Sequence, residues 1–289
     1  MDRRGRIELW ALGILSAGVI LVATIVPPIP QPATYHQFAD QRIYFGIPNF
    51  FDVVSNIPFL FIGMAGLILL LRSGIPAMSE AFVEPAERWP YLVLFLSVTA
   101  AGIGSVYYHL APDNDRLVWD RLPIATGVMA LLAATLNERI GPKAGLRLLP
   151  VLIAAGAGSV MHWYWSEQRG AGNLNFYIVV QFYSLLVIFL LGIFFRSRYT
   201  GGFYIYAVMT LYGLAKLAEV QDQEIYDLGQ VMSGHTAKHL LAALAIYWIL
   251  RTLAKREPVT QKMQGPAPRL MGELVKHAST QGGKGKARR

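Results

Sequence analysis

Eight mostly apolar stretches dominate this chain, near positions 8–26, 51–72, 90–111, 118–137, 145–165, 175–195, 202–220 and 235–254. A helix needs about 20 such residues to cross the hydrocarbon layer of a bilayer. Inside lipid every backbone N–H and C=O must be satisfied within the protein, and runs of this length do that as helices. Only 15% of the residues are charged, against about 25% in soluble domains. The expected fold is therefore an all-α membrane bundle, and its length suits one bundle. Helix breakers separate the stretches: Pro27-Pro28-Ile29-Pro30 closes the first, Pro90 opens the third, Gly141-Pro142 precedes the fifth and Gly201-Gly202 precedes the seventh.

Arg3, Arg4 and Arg6 precede the first stretch. Its apolar run exceeds the roughly 7–15 residues of a signal peptide and no small-x-small cleavage site follows, so an uncleaved anchor is expected. Placing the amino terminus in the cytoplasm leaves only Arg42, Arg116, Arg121, Arg169, Lys216 and Lys238 on the outer side before the tail, while Arg72, Arg88, Arg139, Lys143, Arg147, Arg196, Arg198 and Arg251 fall inside. That asymmetry favours an even number of crossings with both termini cytoplasmic. The net charge of +8 is concentrated in the carboxyl-terminal tail. This tail lacks an apolar period, reads as disordered and basic, and suits anionic headgroups. It contains no aromatic residue, so nucleic acid is not expected as a partner; the bilayer and a membrane lipid are. Oligomeric state is left open by the sequence.

Three imidazoles stand out within these stretches. His235 and His239 lie four residues apart at the start of the eighth, and His109 ends the third, four residues after Ser105. Residues i and i+4 share a helical face, and histidines inside membrane helices normally turn toward a cavity or partner. Under the topology above, His109, Asp120, His235 and His239 all fall at one depth on the non-cytoplasmic side. With no cysteine in the chain, a metal must rest on His, Asp or Glu. Three imidazoles with an open fourth position suit Zn2+, which lowers the pKa of a bound water and polarises a carbonyl. Asp120 is then placed to act as general base and Ser105 to donate a hydrogen bond to an oxyanion. Plainer readings exist for each: an interfacial histidine for His109, a haem or proton-relay pair for His235 and His239, a helix-start carboxylate for Asp120, and a serine bonded one turn back for Ser105.

Ser105-Val-Tyr-Tyr-His109, Asp120 eleven residues later, and His235-x-x-x-His239 in the last stretch resemble the signature of the alkaline ceramidase superfamily, which includes the adiponectin and progestin receptors. Asn49-Phe-Phe-Asp-Val-Val-Ser-Asn56 is similar to the opening of that family's first core helix. The resemblance, to a bacterial-type member, covers roughly residues 35–255. It implies a seven-helix ceramidase-like core with zinc on His109, His235 and His239, and with Ser105 and Asp120 assisting hydrolysis of a lipid amide. Residues 1–34 then form an additional transmembrane anchor and linker, and residues 256–289 the tail. Eukaryotic members carry an acidic calcium site before the first core helix; here Ala39–Asn49 holds one carboxylate, Asp40. Calcium binds through several oxygens, so a calcium site is not expected.

Other polar residues invite narrower expectations. Lys216 and Glu219 are three apart and expected to pair, with a polar wall facing a lipid headgroup as the alternative. Lys238 is expected to project to another face and snorkel outward. Ser55 and Asn56 are expected to hydrogen-bond across helices, His162 and Trp119 to sit in an aromatic belt, and His36 and His277 to lack useful neighbours. Two functional alternatives stay open beside the zinc amidase: a zinc-containing lipid receptor without turnover, and a bis-histidine haem protein. Whether the bond cleaved is an amide or an ester is also open.

Overall fold

The structure, a computed structural model, describes residues 3–72 and 81–259, and within them it is helical with no strand. Seven helices among the described residues are long and apolar enough to cross a membrane. These are α1 (Arg3–Ile25), α2 (Phe50–Leu71), α3 (Arg88–Leu110), α4 (Asn114–Arg139), α5 (Pro142–Gln168), α6 (Asn175–Phe194) and α9 (Gly234–Lys255). The seventh predicted stretch forms α7 (Tyr204–Val220), whose 17 residues reach about 25 Å at 1.5 Å per residue, short of a hydrocarbon layer near 30 Å. A short helix, α8 (Asp222–Asp227), leads into the last.

The predicted breakers act where expected. Helix α1 stops at Ile25 before the proline run, and Pro142 is the first residue of α5. Helix α2 breaks between Val54 and Ile57; Pro58 has no N–H to give to the carbonyl of Val54, and Ser55 and Asn56 sit in the break. Helix α6 carries a π-helical turn over Val179–Tyr183.

Helices α2, α3, α4, α6, α7 and α9 follow one another in a closed circuit, with α9 returning to α2. Helix α4 is the most buried and carries α5 on its outer side. Helix α1 is peripheral: Trp10 is 74% exposed and Ile14 71%, faces suited to lipid. Asn175 ties it down by donating from its side chain toward the carbonyls of Val26 and Pro27, each 3.3 Å away, which satisfies acceptors left free at a helix end.

At one end of the bundle a buried ionic network joins α3, α4 and α9. Glu138 receives Ser197 Oγ at 2.6 Å and lies 3.8 Å from both Arg139 and Arg256. Glu87 accepts from Tyr199 Oη at 2.6 Å. Arg256 donates to Tyr91 Oη at 2.8 Å and to the carbonyl of Ala81 at 3.0 Å, and stacks over Tyr199 at 4.1 Å. Burial and the bond to Glu87 push the Tyr199 phenol above its ordinary range. The first residues of the expected tail are therefore ordered: Glu257 O accepts from Thr200 N at 2.9 Å, and Val259 N donates to Arg198 O at 2.9 Å. The rest of the tail, with His277, lies outside the described residues.

Candidate metal centre

The opposite end holds the three histidines. His109 occupies the last turn of α3, where Asn49 Nδ2 donates to its carbonyl at 2.8 Å and supplies a partner to an acceptor the helix leaves free. His235 and His239 occupy the first two turns of α9, and three side chains fix that start. Ser233 caps it by accepting from Thr236 N at 3.0 Å, as small hydroxyl residues do at helix starts. Asp222 accepts from His235 N at 2.7 Å. Asp52, buried in α2, accepts from Thr236 Oγ1 at 2.7 Å. Both carboxylates sit where the helix dipole favours negative charge. Gly234 is required here: a Cβ would come 2.1 Å from the carbonyl oxygen of Ala218, so any side chain would push α9 off α7.

These constraints bring the imidazoles together. Ring centroids are 4.9 Å apart for His109 and His235, 5.1 Å for His109 and His239, and 4.8 Å for His235 and His239. All three are buried, and one nitrogen from each lies within 4.8 Å of the others. The cluster can hold a metal ion. The Nε2 atoms of His109 and His235 are 3.3 Å apart, which matches the edge of about 3.3 Å expected of a tetrahedron with metal–nitrogen bonds near 2.05 Å. Two nitrogens facing at that distance cannot both carry a proton; either one donates to the other or both lone pairs meet a shared cation. Phe38 packs against His109 at 4.7 Å and His235 at 4.6 Å, closing an apolar cap over the pair.

Ser55 bears on the tautomer of His239. Ser55 Oγ donates to the carbonyl of Asp52 at 3.1 Å and lies 2.8 Å from His239 Nδ1. A hydroxyl so used can accept from Nδ1–H, the tautomer that leaves the Nε2 lone pair to the centre, while Asn56 Nδ2 lies farther off at 3.4 Å. Such outer hydrogen bonds orient metal-binding imidazoles generally. The expected cross-helix bond of Ser55 is thus present and reaches a histidine of the cluster. Asn56 Nδ2 donates to the same carbonyl at 2.7 Å.

Asp120 and Ser105 meet as well. Ser105, buried on α3, comes close to the Asp120 carboxylate on α4. Gly104 allows it: a Cβ there would stand 2.0 Å from the carbonyl oxygen of Trp119, so only glycine lets α4 approach Ser105 this closely. The helix-start reading of Asp120 does not hold, because Asp113 caps α4 and accepts from Arg116 N at 2.7 Å.

Two expectations are corrected. Lys238 turns inward instead of snorkelling: its Nζ lies 3.0 Å from Glu219 Oε1 and 2.9 Å from His235 Nε2. Glu219 also pairs with Lys216 as expected, and a cation on His235 Nε2 would leave the ammonium to Glu219. His36 has neighbours after all, with Nδ1 2.9 Å from Tyr108 Oη and Nε2 3.0 Å from Asn114 Oδ1. It braces the residue before His109. His162 packs edge-on against Phe176, and Trp119 is 59% exposed, as belt residues are. Both oxygens of Asp40 are engaged by Arg42, at 2.8 and 2.6 Å, an ion pair that holds the guanidinium above its ordinary pKa.

Asp52 and Asp222 are the supporting residues that sequence reasoning missed. Asp52 lay inside the Asn49–Asn56 motif, and a carboxylate in an apolar run was its one available signal. Asp222 looked like one of several loop acids. No protein-family model and no curated protein matches this chain.

Proposed function

We propose that this chain is a zinc-dependent hydrolase of the membrane that cleaves the amide bond of an N-acyl lipid. Helices α2–α7 and α9 form its seven-helix core, α7 crosses despite its length, and α1 is an eighth crossing. Both termini then face the cytoplasm and the histidines face the other side. The observation that carries the reading is the convergence of His109, His235 and His239 at the bundle end where Ser105 meets Asp120.

Zinc on the three imidazoles would supply Lewis acidity and a water of lowered pKa. The chain's own groups do the rest. Asp120 takes a proton from the attacking water as the carbon–oxygen bond forms, and returns it to the amide nitrogen as the carbon–nitrogen bond breaks. Ser105 turns its hydroxyl to the acyl oxygen and stabilises the charge that grows there. Phe38 limits access of bulk water, which strengthens both effects. The products are a fatty acid and a free amine. A haem reading gains no support, because rings packed this closely leave no slot for a macrocycle between any two of them.

The test is fatty-acid release from a panel of N-acyl lipids by the purified protein with zinc, with His235→Ala and Asp120→Ala as controls. Release by the wild type alone is expected. Persistent zinc and tight lipid binding without turnover on any substrate would replace the hydrolase by the receptor reading.

A further inference from the structure

Between the Phe38 cap and α2 the chain makes a tight turn that its own residues oppose. Tyr44 and Ile47 exchange both backbone hydrogen bonds, at 3.3 and 2.9 Å, which leaves Phe45 and Gly46 as the two central residues. Both have positive φ, 53° and 77°. Turns of this shape favour Asn-Gly or Asp-Gly, and a bulky side chain in the left-handed region is an outlier. Packing within the chain offsets little of that cost, because Phe45 is 92% exposed. A second loop lies alongside: Arg42 Nη2 donates to Val231 O at 3.0 Å, and the guanidinium stacks over Tyr226 at 5.4 Å. There Leu228 is 87% exposed and Val231 75%. Neither 43–51 nor 228–234 holds a charged residue, and Arg42 at their junction is paired with Asp40. The two loops present an uncharged apolar surface at the histidine end, and a strained, exposed phenylalanine at its tip points to a contact outside the chain.

Helix α2 identifies what covers it. The rings of Tyr44 and Phe45 lie 5.5 and 5.8 Å from that of Phe50, the first residue of α2. The 22 residues of α2 reach about 33 Å at 1.5 Å per residue, against a hydrocarbon layer near 30 Å. Its first turn therefore stands at the boundary between hydrocarbon and headgroups, where aromatic rings gather. The apolar exposure continues down the same helix with Ile57, Phe61, Met64 and Ile68. A protein partner would meet a polar rim, which these loops lack. We propose that the Tyr44–Ile47 turn, together with the 228–232 loop, inserts into the headgroup–hydrocarbon boundary of the leaflet on the histidine side and anchors this end of the bundle to lipid. The inference rests on α2 crossing the membrane and not on the hydrolase chemistry. Asn49, two residues past the turn, holds the carbonyl of His109, so the anchor also sets the depth at which the histidines stand.

The chain contains no cysteine, so Phe45→Cys and Val231→Cys each accept a single spin label. With the full chain in phosphatidylcholine vesicles, collisions of the label with oxygen, which concentrates in lipid, are compared with collisions with a water-soluble nickel chelate. Labels at Phe61→Cys, on the exposed face of α2, and at Ala171→Cys, in the exposed loop between α5 and α6, mark lipid and water. The oxygen-to-nickel ratio at positions 45 and 231 is expected to exceed that at 171 at least fivefold and to approach that at 61. Either label reading like position 171 overturns the proposal. Spin–spin broadening at 45 that disappears on dilution with unlabelled protein assigns the surface to a second copy and overturns it too. A label at 61 that reads as water removes the crossing of α2 and the anchor with it. Lipid-like ratios at 45 and 231 in a protein that releases no fatty acid support the anchor and remove the hydrolase alone.

Discussion

The hydroxyl of Ser55 on α2 stands 2.8 Å from Nδ1 of His239 on α9 and presents that nitrogen with an acceptor. A hydroxyl that accepts from this nitrogen leaves Nε2 free to face the other two histidines. Ser55→Ala deletes the acceptor and lets the ring turn. Loss of such a support typically lowers metal affinity about 10–100-fold. Competition with a coloured chelator is expected to show that drop for zinc while the circular dichroism spectrum stays helical.

Removing a histidine itself acts more strongly. His109→Ala takes away the one donor that α3 contributes and leaves only the pair on α9. Metal analysis of the purified protein is expected to give about one zinc per chain for the wild type and well under a tenth of that for the variant, the coordination of three imidazoles being what closes such a site.

Asp120→Asn separates chemistry from metal binding. The amide keeps the shape and the contact with Ser105 but cannot take a proton. Turnover on any lipid the wild type cleaves is expected to fall about 10²–10⁴-fold, with zinc content unchanged. Equal loss of zinc would make Asp120 a fourth ligand instead.

The close approach of α3 and α4 at Gly104 has a mechanical test. A methyl 2.0 Å from the Trp119 carbonyl forces the helices apart, and overpacking of this kind costs about 1–3 kcal/mol. Gly104→Ala is expected to lower the thermal midpoint in detergent and to reduce activity as Asp120 leaves Ser105. Gly13→Ala in α1, where no atom lies within 4 Å, is expected to leave both unchanged.

Arg256 tests the far end. It shares a buried network with Glu138, both side chains 3% exposed. Truncating Arg256 leaves Glu138 paired with Arg139 alone and takes the donor from the buried Tyr91 hydroxyl and Ala81 carbonyl, at about 1–3 kcal/mol for each group left unpaired. Arg256→Ala is expected to lower the thermal midpoint strongly, more than Arg251→Ala on the exposed side of α9.

Much of this molecule is written in its sequence at the level of period and punctuation. Long apolar runs give helices whatever surrounds them, so helices α1 to α6 and α9 were visible, as was the shared face of His235 and His239. The positions of His109, Asp120, His235 and His239 near the ends of their apolar runs pointed to a cluster at one end of the bundle. What stayed hidden depends on which helices become neighbours. Lys238 looked outward because a lone lysine in lipid snorkels; it turns inward because Glu219, on another helix, offers it a carboxylate. His36 looked idle in a loop because nothing in its local sequence announces Tyr108 and Asn114. The ordered residues past α9 were read as tail because the partners of Arg256 come from three other segments. Helix α7 was counted as a crossing on hydropathy, yet its helical length is set by where Gly201-Gly202 and Gln221 let it begin and end.

Helix α9 is fastened at both extremities, by Asp52 and Asp222 on its first turn and by Arg256 just beyond its last. A rod so clamped has no freedom to slide or to absorb an extra residue, since one inserted position turns everything beyond it through about 100°. A single alanine added near Ala243, far from any imidazole, would set the two clamps against each other, and either His235 and His239 would swing away from His109 or the ionic knot at the other end would come undone. Tolerance to insertion in this helix is thus dictated by distant anchors and not by what lies next to the added residue.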